Sequence, residues 1–212
     1  YRRQRQMSIR DRSLFEKKIV RSSDLIIVHS HLMFYKMCDR YPMFLHKLKF
    51  VPFATDDVKL LPTPSLIKQD LVTLIYAGTL QRERNLDLIF KSLERIPKSE
   101  IAAIKIQLIG NVSTSIKSQI KKSPYKDVFE LLPFMDKENL YDYVCKSDAL
   151  LVIDSFKDNC NIFFPSKLCE YLLFKKPILL ITPEISESRR LFMECPELCF
   201  NPVSYTHLTL PT

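Results

Sequence analysis

The chain has 212 residues, of which 46% are hydrophobic and 26% are charged, and its formal net charge is +8. This composition is typical of a folded protein with a buried core, and no apolar run approaches the roughly eighteen residues of a membrane span. Residues 1–21 hold eight Lys and Arg against two acidic residues, which is most of the positive excess. Because this excess is local and lacks interleaved aromatic side chains, it argues against a nucleic-acid partner.

The cysteines indicate reduced thiols in a cytoplasmic protein, because they are scattered through apolar segments without paired short spacings. There are six of them: Cys38, Cys145, Cys160, Cys169, Cys195 and Cys199. The pair Cys195 and Cys199 is too isolated in the sequence for a zinc site. The pair His29 and His31 has no carboxylate or Cys neighbour. We therefore expect no metal site.

The first part of the chain predicts too few elements to close a domain. The predicted elements are a helix over residues 7–20, a buried strand at 24–28, a helix over 31–39 and a strand at 49–51. Ser30 is a suitable cap for the second helix. Residues 57–70 contain Pro62 and Pro64 without a clear period, which is typical of a linker or surface loop.

Strands and helices alternate from residue 71 onward. Strands are predicted at 71–77, 104–109, 128–132, 148–153 and 177–181, with helices at 85–96, after Asp136, after Pro165 and at 187–193, and a last short segment at 198–200. This rhythm implies a parallel sheet with right-handed crossovers and helices on both faces. The predicted fold class is therefore α/β, with a Rossmann-like doubly wound sheet.

The chain contains only two glycines, Gly78 and Gly110, and each directly follows a predicted strand. The ligand crevice of an open parallel sheet lies beyond the carboxyl ends of its strands, where a glycine permits close approach of the backbone to a ligand. A tight turn without a ligand is the alternative for each glycine. Their shared position puts the two interpretations on an equal footing.

The segment 161–181 is predicted to form a loop, a helix, a short connector and a buried strand. Pro165 and Ser166 are residues that start helices, and Pro177 cannot continue one. Glu170 therefore falls in the first turn of the helix. A carboxylate at that place is by itself favourable because of the helix dipole, without any ligand.

Several sequence words stand in the order found in one enzyme family. They are Leu-Ile-Tyr-Ala-Gly-Thr-Leu at 74–80, Ile-Gln-Leu-Ile-Gly at 106–110, Leu-Leu-Pro-Phe at 131–134, Ser-Asp-Ala-Leu-Leu-Val-Ile at 147–153 and Pro-Ser-Lys-Leu-Cys-Glu-Tyr-Leu at 165–172. Together they resemble the donor-binding half of GT-B type nucleotide-sugar glycosyltransferases, in particular retaining family 4 (glycosyl transferases group 1). The resemblance covers roughly residues 16–202.

The resemblance implies a division of the chain into three parts. Residues 1–58 would be the remnant of an N-terminal acceptor domain with the interdomain linker, truncated at the N-terminus. Residues 59–202 would be the C-terminal domain that binds the nucleotide-sugar donor. Residues 203–212 are uncharged and out of register with the preceding pattern, and we expect them to be a non-native tail.

The resemblance also implies roles for the helix near Glu170. Glu170 would accept hydrogen bonds from the ribose hydroxyls of the donor, each contributing about 1.5–3 kcal/mol. The helix start at Ser166 and Lys167 would face the diphosphate, since free backbone N–H groups at a helix N-terminus favour an anion.

Other residues would complete the donor site by the same resemblance. Arg82 or Arg84, close after Gly78, would act with Lys167 on the diphosphate and the leaving group. Phe134 or Met135 would lie near the base, chiefly through backbone contacts. The two glycines would permit close approach of the donor nucleotide to the sheet.

The donor-sugar site departs from the family pattern at one position. Many family 4 enzymes carry a second Glu eight residues before the ribose-binding Glu, and Ile162 stands there in this chain. Asp158, Asn159 and Asn161 are the candidates to contact the sugar instead. The identity of the sugar stays open.

The implied reaction transfers a sugar from a nucleoside-diphosphate sugar to a hydroxyl of a saccharide or lipid-linked acceptor. The resemblance implies retention of configuration. We also expect no metal cofactor, because the sequence contains no Asp-X-Asp word to hold one. The resemblance also implies a role in cell-surface polysaccharide or lipopolysaccharide biosynthesis, where enzymes of this family commonly act. The basic segment 1–21 would suit a peripheral contact with the inner membrane face. The chain alone is expected to be inactive, because the cleft needs both domains.

Two alternatives remain at this point. A sugar-nucleotide epimerase of the same architecture usually needs catalytic His and carboxylates, but only His207, in the expected non-native tail, follows His46. A non-catalytic flavodoxin-like module would carry an acidic cluster at the strand ends. The residues at those ends are instead Arg82, Arg84 and Lys167.

Overall fold

The computed structural model describes residues 9–54, 71–81, 84, 86–194 and 199–200. The chain divides into two compact units, residues 1–53 and residues 54–212. The expected linker or surface loop at residues 57–70 and the expected non-native tail lie outside the described residues.

The first unit contains the four predicted elements and one further 3-10 helix. These are α1 (Ile9–Ser22), β1 (Ile26–Val28), α2 (His31–Arg40), a 3-10 helix (Pro42–Lys47) and β2 (Leu48–Phe50). The two strands pair in parallel. The predicted cap of α2 is confirmed, because Ser30 Oγ accepts a hydrogen bond of 3.0 Å from the N–H of Met33.

Polar contacts join the helices and the strands within this unit. Lys47 Nζ donates to the carbonyl oxygens of Arg21 and Ser23 at 3.0 and 2.7 Å, which fixes the end of α1. Glu16 Oε1 accepts hydrogen bonds from Arg40 at 2.9 Å and from the Tyr41 hydroxyl at 2.7 Å. These contacts hold α1 against α2 and the residue that follows it.

The second unit is built on a parallel sheet, which confirms the predicted α/β fold class. Its strands are β3 (Val72–Ala77), β4 (Ile104–Ile109), β5 (Phe129–Leu132), β6 (Ala149–Ile153), β7 (Cys160–Asn161), β8 (Ile178–Ile181), β9 (Ile185–Ser186) and β10 (Cys199–Phe200). The main sheet has the order β10-β8-β6-β3-β4-β5, and all its neighbouring strands are parallel. The short strands β7 and β9 pair with each other outside the main sheet.

Helices connect these strands. They are α3 (Asp87–Leu93), α4 (Lys98–Ile101), α5 (Thr114–Lys122), α6 (Lys137–Lys146), α7 (Lys167–Leu173) and α8 (Glu187–Glu194). The predicted helix over 85–96 is shorter than expected, and α5 was not predicted. Its apolar signal is weak because Ile116 and Ile120 are its only buried residues. In the described part of the chain, no helix is long and apolar enough to cross a membrane.

Both faces of the sheet are buried, as the continuous apolar strands require. Leu151 belongs to the core cluster shared with α3 and α5, whereas its neighbour Leu150 belongs to the cluster shared with α6, α7 and α8. Successive strand residues thus serve opposite layers. This sandwich fixes α7 on the sheet with Leu168 fully buried.

The strand order creates a gap at the carboxyl edge of the sheet. The chain runs from β3 outward to β4 and β5, then crosses back to β6 and runs outward to β8 and β10. The reversal between β3 and β6 is a topological switch point, where open α/β sheets bind ligands. The strand β3 pairs with β4 along its full length, but with β6 only at Leu74 and Ile75. The carboxyl ends of β3 and β6 therefore lie apart.

Candidate functional site

The two glycines meet at this carboxyl edge. Gly78 and Gly110 follow adjacent strands and have φ values of +152° and +120°. A Cβ atom on Gly110 would lie 2.6 Å from the carbonyl oxygen of Gly78, which excludes any side chain there. The glycines therefore do more than end two strands, because Gly110 leaves room for the backbone of Gly78, and Gly78 leaves room for Lys167.

Lys167, the first residue of α7, lies against the first of these loops. A Cβ atom on Gly78 would be 3.0 Å from Lys167 Nζ. Partial burial of the ammonium group lowers the pKa of Lys167, the charge of Glu170 opposes this shift and the charge of Arg84 adds to it. A cation beside a bare backbone at a switch point is suited to contact a bound anion.

Some backbone N–H groups in the N-terminal turn of α7 already donate hydrogen bonds to nearby carbonyl oxygens. The N–H of Leu168 donates to the Pro165 carbonyl at 2.8 Å, and the N–H of Cys169 donates to the Ser166 carbonyl at 3.1 Å. Ser166 is exposed, as a helix start requires, but its side chain makes no capping hydrogen bond. The attraction of this helix end for an anion therefore depends chiefly on Lys167.

Glu170 lies one turn further along α7 and forms an ion pair with Lys137 of α6. Lys137 Nζ is 3.5 Å from Glu170 Oε1, and the two side chains are 60% and 33% exposed. Such an exposed pair contributes little to stability, and it leaves the carboxylate accessible. Sequence reasoning did not single out Lys137, because only the packing of α6 brings it near α7.

Arg84 belongs to the loop that follows Gly78. Its Nη1 donates to the Thr79 carbonyl at 3.3 Å, and the same carbonyl accepts a hydrogen bond of 3.0 Å from the Tyr76 hydroxyl. Burial raises the pKa of Tyr76, and the neighbouring Arg84 charge opposes the shift. The other predicted arginine, Arg82, lies outside the described residues.

The two residues predicted to lie near the base differ in their surroundings. Phe134 is 85% exposed in the connection from β5 to α6. Met135 packs against the core cluster beneath α6 and α7. Contact of either residue with a base stays a prediction.

The three candidates for contact with the sugar lie on the loop between β6 and α7. The backbone of Asp158 is in a 3-10 helix (Lys157–Asn159), and its side chain is outside the described set. Asn159 is exposed and has a φ of +51°. Asn161 is buried, and its side-chain amide bonds to the backbone of Phe163 at 3.2 and 3.4 Å. Asn161 thus shapes this loop.

A buried polar cluster at the ends of β6 and β8 was not predicted from the sequence. Asp154 directly follows β6, is 1% exposed and accepts a 2.7 Å hydrogen bond from Thr182 Oγ1. The hydroxyls of Thr182 and Ser186 are also hydrogen-bonded to each other. Burial raises the pKa of Asp154, opposed first by the hydrogen bond from Thr182. The sequence signal that could have found this cluster is a carboxylate directly after a predicted buried strand.

The described thiols are free, and the described acidic residues do not cluster around a metal position. Cys38, Cys145, Cys160 and Cys169 form no disulfide. No group of three His, Cys, Asp or Glu side chains within the described ranges is arranged to hold a metal ion.

The domain is a doubly wound parallel α/β sheet with Gly78, Gly110 and the cation of Lys167 at its switch point, the edge where open sheets of this kind bind ligands. The family model for Glycosyl transferases group 1 matches residues 58–185. The chain belongs to this family, which confirms the family predicted from the sequence words. Comparison with curated protein sequences gives no significant match.

Solved structures similar to this chain include glycosyltransferases. HepE from Anabaena, in complex with UDP and glucose, has a TM-score of 0.65 and 14% identity over 87% of this chain and 51% of its own. WaaG, a glycosyltransferase involved in lipopolysaccharide biosynthesis, has a TM-score of 0.71 and 12% identity over 87% and 51%. Sucrose-phosphate synthase from Thermosynechococcus elongatus has a TM-score of 0.62 and 16% identity over 88% and 53%. These likenesses show the GT-B fold, and the chain spans about half the length of each structure.

Proposed function

We propose that this chain is the donor-binding part of a retaining glycosyltransferase, which transfers a sugar from a nucleoside-diphosphate sugar to an acceptor hydroxyl. One observation carries the proposal. The helix α7 places Lys167 against Gly78 and Glu170 one turn away, at the switch point of a parallel sheet. A cation and a carboxylate at this spacing match the two polar parts of a nucleotide, its phosphates and its ribose.

The phosphates would be held by positive side chains. Lys167 is incompletely hydrated beside Gly78, and Arg84 lies on the loop that follows the same glycine. When the bond between sugar and phosphate breaks, negative charge develops on the departing diphosphate. Preorganised cations stabilise such charge more effectively than water does, which would serve the reaction without a metal ion.

The nucleoside would be held by Glu170 and by the loop after β5. Glu170 would accept hydrogen bonds from the ribose hydroxyls, and its ion pair with Lys137 uses only Oε1. A carboxylate has acceptor sites on both oxygens, so ribose binding does not require the pair to break. Phe134 and the backbone of Met135 would border the base.

The neighbouring structures support the proposed class of donor and a role in cell-surface biosynthesis. The HepE structure contains UDP and glucose, and WaaG is involved in lipopolysaccharide biosynthesis. UDP is therefore the first nucleotide to test. Retention, independence from metal, the saccharide or lipid-linked acceptor, the cytoplasmic location and a membrane contact of residues 1–21 remain predictions.

Calorimetric titration of UDP, GDP and ADP into the chain tests this assignment. We expect saturable binding of one nucleotide, weakened tenfold or more by Glu170→Ala, which corresponds to about 1.4 kcal/mol. Glu100→Ala is the matched control, because Glu100 is also an exposed helical carboxylate but lies in α4, before the amino end of β4. Equal binding by wild type and Glu170→Ala would remove the donor-site assignment.

A further inference from the structure

Tyr171 joins the helix of the proposed donor site to the sheet. It lies on α7, directly after Glu170, and is only 4% exposed. Its hydroxyl oxygen accepts a 2.9 Å hydrogen bond from the backbone N–H of Ala77, which is 94 residues away in sequence. Ala77 is the last residue of β3 and precedes Gly78. The hydrogen bond therefore fixes the residue directly before Gly78, whose backbone lies beside the Lys167 ammonium group.

The hydrogen bond from Ala77 to Tyr171 takes the place of a hydrogen bond between β3 and β6. The N–H of Gly78 points toward β4 and donates to the Ile109 carbonyl at 2.8 Å. Because alternate N–H groups of a strand point to opposite sides, the N–H of Ala77 points toward β6. The β3–β6 pairing stops at Ile75, so β6 offers no acceptor there. Tyr171 fills the place where the two strands separate.

The same helix carries the charged groups of the proposed site. Lys167 is one turn before Tyr171, so both side chains lie on the same side of α7. The Tyr171 ring is fixed in the core cluster that contains Val144, Leu168 and Phe192. Burial raises the pKa of Tyr171, which keeps its hydroxyl neutral. The hydroxyl thus links a rigid part of the core to the end of β3.

We propose that Tyr171 is a positioning residue, whose hydroxyl holds α7 against the end of β3 and thereby keeps Lys167 beside Gly78 for contact with a nucleoside diphosphate. The part of this inference that concerns the ligand rests on the proposed function. Tyr171 itself makes no contact with the ligand in this account. It acts through the distance between Lys167 and the glycine loop.

The variant Tyr171→Phe removes one oxygen atom and keeps the ring in place. Ile178→Val is the matched control, because Ile178 is buried in the same cluster and the change removes one methyl group from it. We expect Tyr171→Phe to weaken UDP binding about tenfold in calorimetry. We expect Ile178→Val to leave the affinity within about twofold, even when both variants have lost similar stability in thermal unfolding.

A second readout does not depend on nucleotide binding. The side-chain pKa of Lys167 can be followed by carbon-13 NMR, with the signal assigned by its loss in Lys167→Arg. The pKa of Lys167 is lowered in the wild type by partial burial beside Gly78. In Tyr171→Phe we expect it to move toward the ordinary lysine value, since the ammonium group becomes better hydrated. In Ile178→Val it should stay unchanged.

The outcomes separate this inference from the proposed function. If Tyr171→Phe changes neither UDP affinity nor the Lys167 titration, or if Ile178→Val changes both equally, the positioning role is wrong. If the wild type binds no UDP, GDP or ADP, the proposed function fails and the Lys167 titration alone decides the inference.

Should Tyr171→Phe not fold, hydrogen exchange in the wild type decides the inference. Slow exchange of the Ala77 amide supports the hydrogen bond, and exchange as fast as that of an exposed amide overturns it.

Discussion

Gly110 shows how strongly a single residue can be constrained at the candidate site. Its φ of +120° disfavours any L side chain, and a Cβ atom would lie 2.6 Å from the Gly78 carbonyl oxygen. We predict that Gly110→Ala lowers the free energy of unfolding by at least about 1–3 kcal/mol, the usual cost of such backbone strain. Denaturant unfolding measures this change.

The neighbouring residue provides the control for that substitution. Asn111 is exposed, and its backbone carbonyl accepts a hydrogen bond from the N–H of Leu80 that Asn111→Ala preserves. We expect this control to change stability by less than about 0.5 kcal/mol, as most surface substitutions do. A Gly110→Ala variant as stable as the control would show that the two loops can separate without cost.

At the level of single residues, the sequence predicts those features that depend on local chemistry. Gly78 and Gly110 each end a strand, and Glu170 follows helix-start residues, so their positions were predictable. The contact between the two glycine loops depends on the register of β3 and β4. The approach of Lys137 to Glu170 depends on how α6 packs. Neither relation has a local sequence signal.

The ends of β6 and β8 are joined through Asp154, and this junction gives a pH dependence. Burial raises the pKa of Asp154 above its ordinary value of 3.8, which the unfolded chain retains. Between the two pKa values the folded state holds a proton that the unfolded state has released. The contribution of Asp154 to stability is therefore fully present below pH 3.8 and declines as the pH rises through the folded pKa.

The substitution Asp154→Asn removes this titration. We predict that the unfolding free energy of the wild type, measured relative to Asp154→Asn, decreases from acidic to neutral pH. Urea unfolding of both proteins across that range measures the difference. A difference that grows with pH would contradict the account, because it would mean that the hydrogen bond from Thr182 favours the carboxylate more than burial disfavours it.

Helices and strands were predictable where the pattern of apolar residues and the residues that start or stop elements, such as Pro and Gly, indicate the same boundaries. The helix α7 has Pro165 before it and Pro177 after it, and its predicted position matches the structure. The helix α5 was missed because its two buried isoleucines stand among polar and basic residues. The pairing of β7 with β9 was also unpredictable, since two-residue strands carry no periodic signal.

The two units differ in how completely they bury their apolar side chains. The second unit has a core on each face of its sheet. In the first unit Phe15, Ile19 and Met43 are 57%, 47% and 83% exposed. The chain also spans about half the length of the glycosyltransferases with the same fold. The assignment of residues 1–58 to an acceptor domain stays a prediction.

This division leads to a prediction about activity. We expect the 212-residue chain to bind a nucleotide but to transfer no sugar from UDP-, GDP- or ADP-sugars, because transfer needs both domains of the predicted cleft. A radiolabelled transfer assay with mixed saccharide acceptors measures this, and nucleotide binding under the same conditions confirms that the protein is folded. Detectable transfer would overturn the prediction.

The fold class of the whole molecule followed from the alternation of strands and helices, but the strand order did not. The order β10-β8-β6-β3-β4-β5 requires the chain to cross back over β3 after β5. That crossing is set by packing between distant segments and not by any local pattern. The glycines left a ligand site at the carboxyl edge and a tight turn as equal interpretations, while the gap between β3 and β6 follows only from the pairing of the strands.

We propose that the donor nucleotide binds at the carboxyl edge between Gly78 and the start of α7. Because the chain has only two glycines, selective nitrogen-15 labelling of glycine gives two backbone NMR signals, and both belong to this edge. We predict that titration with the bound nucleotide among UDP, GDP and ADP shifts both signals with one common saturation curve. Saturable nucleotide binding that leaves both glycine signals unmoved would place the ligand elsewhere and contradict the account.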